Sequence, residues 1–282
     1  MEKVARTGVL TVGTRFDAIP YSYVNDRGQL VGYSIDALNL IKDQLQQELG
    51  RTVSLQMVEA NDPAQRIPLL TSGQIDISCD TQFTWERDRY VDFSVSYSIS
   101  GIRLLTRQDS TLGTPESLVA KRIGVLPNST GHDVMQLVQP RAILVPIQTA
   151  EEGLAALNAG RVDALAGDSV VLGGMVQPLG ADNYRLAPVE PYERFGLACM
   201  VPENNSSFLN QVNYALVGMM QRYVSGDSTT VAMVNRWFGA DGIVPLPGDL
   251  VQGFFETIII QHAQVPPVAT PAATPAATNP AP

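Results

Sequence analysis

The residues of this chain with the most chemical potential are polar groups standing just beyond apolar, strand-like runs. "CDTQFTWERDRYVDFS", from Cys79 to Ser94, follows the alternating run "QIDIS" directly. Within it Arg87 stands near Thr81, Gln82 and Thr84. A guanidinium meets a carboxylate through two parallel N–H donors, and hydroxyls and loop amides complete the hydrogen bonds of an anion. The alternative is that Arg87 pairs with Glu86 or Asp88 on a solvated helix start, the usual fate of surface charge runs. In "PNSTGHDVM", Ser129, Thr130 and Gly131 open a predicted helix. Free N–H groups and the helix dipole favour an anion there, and ordinary capping accounts for the same pattern. Asp168, after "VDALAG", either pairs with an ammonium group or caps the next helix.

Catalytic patterns are missing. His132 and His262 are the two histidines, and no Ser/His/Asp, Cys/His or metal-ligand spacing occurs. Neither a GxGxxG nor a Walker loop is present. The expectation is therefore a non-enzyme with no catalytic residue, metal or cofactor. A formal charge of -9 over 282 residues argues against nucleic acid or an anionic membrane as partner and leaves a small polar molecule open. No run approaches the roughly 20 apolar residues of a membrane helix, and "MEKVARTGVL" lacks the pattern of a secretory signal. The chain is thus cytosolic or has lost a signal. Cys79 and Cys199, far apart and outside any CxxC, are two free thiols or one disulfide.

These groups need elements to position them. "GVLTVGT" predicts a strand, and "YSIDALNLIKDQLQQEL" places Ile35, Leu38, Ile41, Leu45 and Leu49 on one helical face. "TVSLQMVEA" predicts a strand, "NDPAQRIPLLTSG" a short helix capped by Asp62 with Pro63 at its first position, and "QIDIS" a third strand. The order then repeats: strand "RIGVL", a helix from His132 to Val138, strand "AILVPI", and a capped helix leading to "RVDALAGDS". "LTSGQIDIS" (70–78) and "LNAGRVDAL" (157–165) share a helix end, a Gly, an alternating strand and an Asp. They describe either a chance match or two similar α/β lobes. In the second case both polar loops point at one cleft beyond the carboxyl ends of the strands. "SGIRLLTR" and "FGLACMV" are candidate crossings between lobes. The expected organisation is lobe 1 over 1–104, lobe 2 over 105–195, a return to lobe 1 over 196–263, and a disordered Pro/Ala/Thr tail over 264–282.

"LTVGTRFDAIPYSYVNDRGQLVGYSIDALNLI", "RIPLLTSGQIDIS", "TWERDRYVDFSVSY" with "GIRLLTR", and "GRVDALAGDSVVL" together resemble the bacterial extracellular solute-binding proteins of family 3, which serve polar amino-acid ABC transporters. The chain looks most similar to the glutamate/aspartate-binding branch, through "RIPLL", the strand-end cysteine, "RLLT" and the later "CM". The resemblance implies a two-lobed α/β periplasmic binding protein fold of type II, with two hinge strands and a ligand cleft between the lobes. It implies a monomer in the periplasm with its signal peptide removed, a Cys79–Cys199 disulfide, and delivery of an amino acid to an inner-membrane permease. By position, Arg87 would hold the ligand α-carboxylate with Asp80, Thr81, Gln82 and Thr130, Asp168 the α-ammonium, and Arg15 and Arg66 a side-chain carboxylate. The sequence departs from the branch where Ala150 replaces a His, where Pro63 replaces a Ser, and where a shortened loop brings Asp80 to the site. Glutamate or aspartate leads these expectations. Glutamine, asparagine or a broader polar set follows, then a dehydratase-like enzyme or a ligand sensor.

Overall fold

The computed structural model describes residues 1–262, and the expected tail at 264–282 lies outside the described residues. After α1 (Glu2–Thr7), β1 (Val9–Thr14) runs through the first lobe with Leu10 and Val12 wholly buried. A small antiparallel sheet of β2 (Asp17–Ala18), β3 (Ser22–Val24) and β4 (Leu30–Val31) leads into α2 (Tyr33–Leu49). This helix buries Ile35, Leu38, Ile41 and Leu45, the stripe its spacing predicts. Next come β5 (Ser54–Glu59), α3 (Pro63–Thr71), β6 (Ile77–Gln82) and β7 (Val91–Phe93). Asp62 caps α3 by accepting from Ala64 N at 2.9 Å, with Pro63 at the first helical position where no N–H is needed.

The chain crosses to the second lobe along β8 (Ser98–Arg107). There it forms β9 (Arg122–Val125), α4 (Thr130–Val138), β10 (Ile143–Pro146), α5 (Ala150–Asn158), β11 (Ala164–Asp168), α6 (Ser169–Val176) and β12 (Tyr184–Ala187). It returns on β13 (Glu193–Pro202) and closes with α7 (Ser206–Val224), α8 (Ser228–Phe238) and α9 (Gly248–His262). α4 starts two residues before the expected His132 because the Ser129 hydroxyl accepts from His132 N and makes Thr130 the first helical residue. α9 is an addition to the expected elements. It buries Val251, Phe255, Ile258 and Ile259 beside α7.

The two lobes have one design. The first orders its strands β5-β1-β6-β13-β7 and the second β10-β9-β11-β8-β12. Each has a parallel trio with its first strand in the middle, then an antiparallel strand shared with the crossing, then an edge strand. β8 and β13 pair antiparallel from Ser98↔Leu197 to Ile102↔Glu193, and this ladder joins the lobes. The paired sequences 70–78 and 157–165 do the same work in both. Asp76 Oδ2 accepts from Thr11 N at 2.9 Å, and Asp163 Oδ2 accepts from Arg122 N at 2.8 Å. Lys3 pairs with Asp76 at 2.8 Å and Arg122 with Asp163 at 2.7 Å, and the Arg122 hydrogen bond holds the Asp163 carboxyl below its usual range. The shared Asp thus satisfies one amide of each central strand, Thr11 within β1 and Arg122 at the start of β9.

Period-2 alternation decides which faces are buried. In β8 Leu104 joins a cluster with Ile123, Val125 and Met135, while Leu105 joins one on the other face with Leu157, Leu165 and Leu172. In the first lobe β1, β6, α2, α7 and α9 enclose one core that includes Leu38, Val212, Leu216 and Phe255. Cys79 on β6 and Cys199 on β13 are disulfide-bonded across this sheet, 120 residues apart in sequence. Closing so long a loop restricts the unfolded chain by about 4–5 kcal/mol in the chain-entropy model. Titration of the unfolded, unreduced protein should find no free thiol, and reduction should lower the unfolding free energy by up to about that amount in urea titration.

Candidate functional site

A cavity of about 170 Å³ lies between the strand ends of the first lobe and α4, β11 and α6 of the second. It is several times the ~30 Å³ share of one water and is sized for one small solute. Arg15, Arg66, Asp80, Thr81, Gln82, Arg87, Thr130 and Asp168 all line it. Its other walls are largely apolar, with Ile67, Ile147, Leu172, Met175 and Phe195 among them. Phe195 is the one aromatic of the lining. Phe83 packs edge-on against Trp85 and Phe93, outside the lining. Tyr21 is buried against Phe238 and shares a hydrogen bond with the Ser98 hydroxyl.

Asp80 explains how the loop after β6 is held. Its backbone is left-handed, φ 60, and the pairing of β6 with β13 shifts register there before Thr81 and Gln82 pair again. Asp80 Oδ2 accepts from the Ser22 hydroxyl at 2.6 Å and from that of Thr14 at 3.4 Å. Oδ1 accepts from Tyr97 at 2.9 Å and from Ser34, while Asp80 N donates to the Tyr97 oxygen at 3.1 Å. The Asp80 carboxylate is therefore engaged by four hydroxyls of the first lobe and by neither Arg15 nor Arg66. Burial and the neighbouring Asp80 push the Tyr97 hydroxyl well above its ordinary pKa and keep it a donor.

Arg66 is buried and reaches Asp80 by another atom. Its Nε donates to Ala60 O at 3.0 Å, and its Nη1 to Asp80 O at 3.3 Å and Thr81 Oγ1 at 3.5 Å. Burial, reinforced by the Arg15 and Arg87 charges, brings the Arg66 pKa down to about 10, so it remains a cation at neutral pH. Arg15 donates from both Nε and Nη2 to Asp17 Oδ1, each at 2.8 Å. Arg87 forms its side-chain hydrogen bond with Gln82 O at 3.0 Å rather than with Glu86 or Asp88, and its own N–H is taken by the Thr84 hydroxyl at 3.2 Å. Burial lowers the Arg87 pKa, and Asp133 of the second lobe opposes that shift. Gln82 donates to Glu193 Oε1 at 2.7 Å, which ties the loop to the crossing strand β13, while its buried Oε1 lacks a partner among the described residues.

The second lobe contributes a helix start and a carboxylate. A Cβ at Gly131 would lie 3.1 Å from Gly167 Cα, so the first turn of α4 approaches β11 as closely as a glycine permits. The Thr130 hydroxyl has no hydrogen-bond partner among the described residues. Asp168 caps α6: Oδ1 accepts from Val170 N at 2.9 Å, Val171 N at 3.0 Å and the Ser100 hydroxyl at 2.7 Å. All three bonds fall on Oδ1, and Oδ2 has no hydrogen-bond partner among the described residues. Burial raises the Asp168 pKa against the pull of these donors.

Cap and ligand group are thus compatible roles for one residue. Sequence reasoning missed Asp17, Ser100 and Phe195. Asp17 was within reach, because residues two apart on an extended segment share a side and "RFD" places an acid beside Arg15. Ser100 and Phe195 come from the crossing strands, whose pairing no local pattern displays. Tyr97→Phe should remove a hydrogen bond to the half-buried Asp80 carboxylate and cost about 1.5–3 kcal/mol of stability in urea unfolding.

A family model for bacterial extracellular solute-binding proteins, family 3, matches residues 10–240. The glutamate/aspartate import solute-binding protein of Salmonella typhimurium (strain LT2) is 25% identical over 245 residues, covering 84% of this chain and 79% of that protein. The glutamine-binding protein of Geobacillus stearothermophilus is 32% identical over 190 residues, covering 66% and 70%. Among solved structures, an ancestral arginine-binding protein bound to glutamine superposes with a TM-score of 0.71 at 28% identity, covering 82% of this chain and 98% of that one.

Proposed function

The chain belongs to the bacterial extracellular solute-binding proteins of family 3, and from that premise we propose that it captures an α-amino acid between its lobes and delivers it to an ABC-transporter permease from the periplasm. The observation that carries this reading is that Arg87 of one lobe and Asp168 of the other line one cavity. Their opposite charges match the α-carboxylate and α-ammonium of a zwitterion, and a guanidinium is the side chain best shaped for the former. The Thr130 hydroxyl at the start of α4 supplies a further donor to the carboxylate, and Thr81 joins it by turning its hydroxyl from Cys79 O, to which it donates at 3.2 Å. Asp168 Oδ2, held in place through its sister oxygen, receives the ammonium. Side-chain oxygens of the ligand meet the guanidinium donors of Arg15 and Arg66, so glutamate, aspartate and their amides form the candidate set. The names of the relatives support the same set.

Contacts from both lobes are what lets a ligand favour a closed state. A ligand touching one lobe alone has no differential affinity for open and closed forms. The ladder of β8 and β13 is the flexing element, since it is the connection that both crossings share.

A thermal-shift screen of the twenty amino acids tests the reading, because a molecule that binds only the native state raises the melting temperature. Absence of any shift would remove it. Arg87→Ala should weaken the bound amino acid at least about tenfold by calorimetry, the equivalent of one charge-assisted hydrogen bond. The raised Asp168 pKa sets the sign of the pH dependence. Protonation removes the ammonium's partner, so affinity should fall as pH falls, beginning above the ordinary aspartate value of about 3.9. Titration calorimetry from neutral to acidic pH checks this, and Asp168→Asn should abolish the trend.

A further inference from the structure

We propose that the cavity selects an amino acid whose side chain is uncharged, and that Asp17 is the residue that sets this preference over the acidic side chain. This rests on the amino-acid reading above. The lining holds three cations, Arg15, Arg66 and Arg87, and three acids, Asp17, Asp80 and Asp168. Once Arg87 and Asp168 are matched by the two charges of a zwitterion, Arg15, Arg66, Asp17 and Asp80 remain, and they sum to zero. Arg15 is already paired, with two of its nitrogens 2.8 Å from Asp17 Oδ1 and side-chain exposures of 18% and 27%. Arg66 has its Nε and Nη1 committed to Ala60 O, Asp80 O and Thr81 Oγ1, and the Asp80 carboxylate held by its hydroxyl cage offsets the Arg66 charge. The nearby acids Asp133 and Glu193, the first acting on Arg87 and the second bonded to Gln82, add negative charge and no positive charge.

An amide side chain can accept from the remaining guanidinium N–H donors without changing this balance. A side-chain carboxylate adds a third ligand charge, and the cations left for it are Arg15, ion-paired to Asp17, and Arg66, whose charge Asp80 offsets through space; it lies beside Asp17 in a cleft walled by Ile147, Ala150, Leu172 and Met175. Like charges in such surroundings raise one carboxyl pKa or weaken binding, and at a protein surface the repulsion of two near carboxylates exceeds a tenfold effect. A cationic side chain meets Arg15 and Arg66 with the opposite difficulty.

The test is calorimetry of the wild-type protein and of Asp17→Asn with glutamine, glutamate, asparagine and aspartate at low salt, after a screen of all twenty amino acids. The wild type should bind only amino acids with uncharged side chains tightly, with the better amide at least about tenfold ahead of its acid. Asp17→Asn should free Arg15 and shift the acid-to-amide ratio toward the acid about tenfold or more, whereas Asp17→Glu should keep the wild-type ratio. A tight wild-type ligand with an ionised side chain would overturn the selectivity. An unchanged ratio in folded Asp17→Asn, or no gain in glutamate or aspartate affinity, would overturn the role of Asp17. If acids win and Arg87→Ala still weakens them, this inference fails alone. If no amino acid binds, the amino-acid reading fails with it.

Discussion

A carboxylate cannot be taken out of water without partners, and the structure around the cleft depends on how Asp80 meets that constraint. The hydroxyls that engage it come from Thr14 at the end of β1, Ser22 on β3, Ser34 in the first turn of α2 and Tyr97 just before β8. One charge therefore gathers the central strand, the small antiparallel sheet, the start of α2 and the entrance to the crossing strand. The left-handed backbone at Asp80 then carries Thr81 and Gln82 to the cavity wall, and its carbonyl helps to seat Arg66. Hydroxyl donors hold the charge without cancelling it, so Asp80 still acts on Arg66 through space. A direct ion pair would have consumed the guanidinium donors that face the ligand space.

The same economy recurs at the joint between the lobes. β8 and β13 share a ladder of five residue pairs, and each strand then enters the sheet of one lobe at an equivalent place. Because the lobes repeat one strand order, the carboxyl ends of both parallel trios open on the same cleft, as open α/β sheets require of a ligand site. The disulfide lies on the first-lobe side of this joint, between β6 and β13. It fastens β6 to β13 a few residues from the point where Gln82 at the end of β6 donates to Glu193, so the end of β6 is tied to the returning strand twice. α9 adds Phe255 to a buried group with Tyr33 and Tyr97, which supports the Asp80 cage from the core side.

Much of this was written locally. The stripe of α2, the Asp62 cap with Pro63, and the αL glycines that end helices follow from spacing and backbone sterics alone. The repeated Asp of "LTSGQIDIS" and "LNAGRVDAL" was visible as a letter; its role, capping a strand amide more than sixty residues back in one lobe and about forty in the other, was not. The i, i+4, i+7, i+8 spacing of Val251, Phe255, Ile258 and Ile259 carries the stripe by which α9 packs on the core.

The sequence by itself determined the α/β class, most of the order of elements, and the polar residues that follow the strands, Asp80 to Arg87 after β6 and Asp168 at the end of β11. Only the tertiary structure decided which of those charges are free. Asp80 shares the lining with Arg15 and Arg66, yet its carboxylate is spent on hydroxyls from four segments, while Arg15 is occupied by Asp17. Hydrogen-bond partners are chosen by distance in space, and burial makes that choice binding because an unpaired charge there costs too much to persist. Sequence order carries no record of that competition.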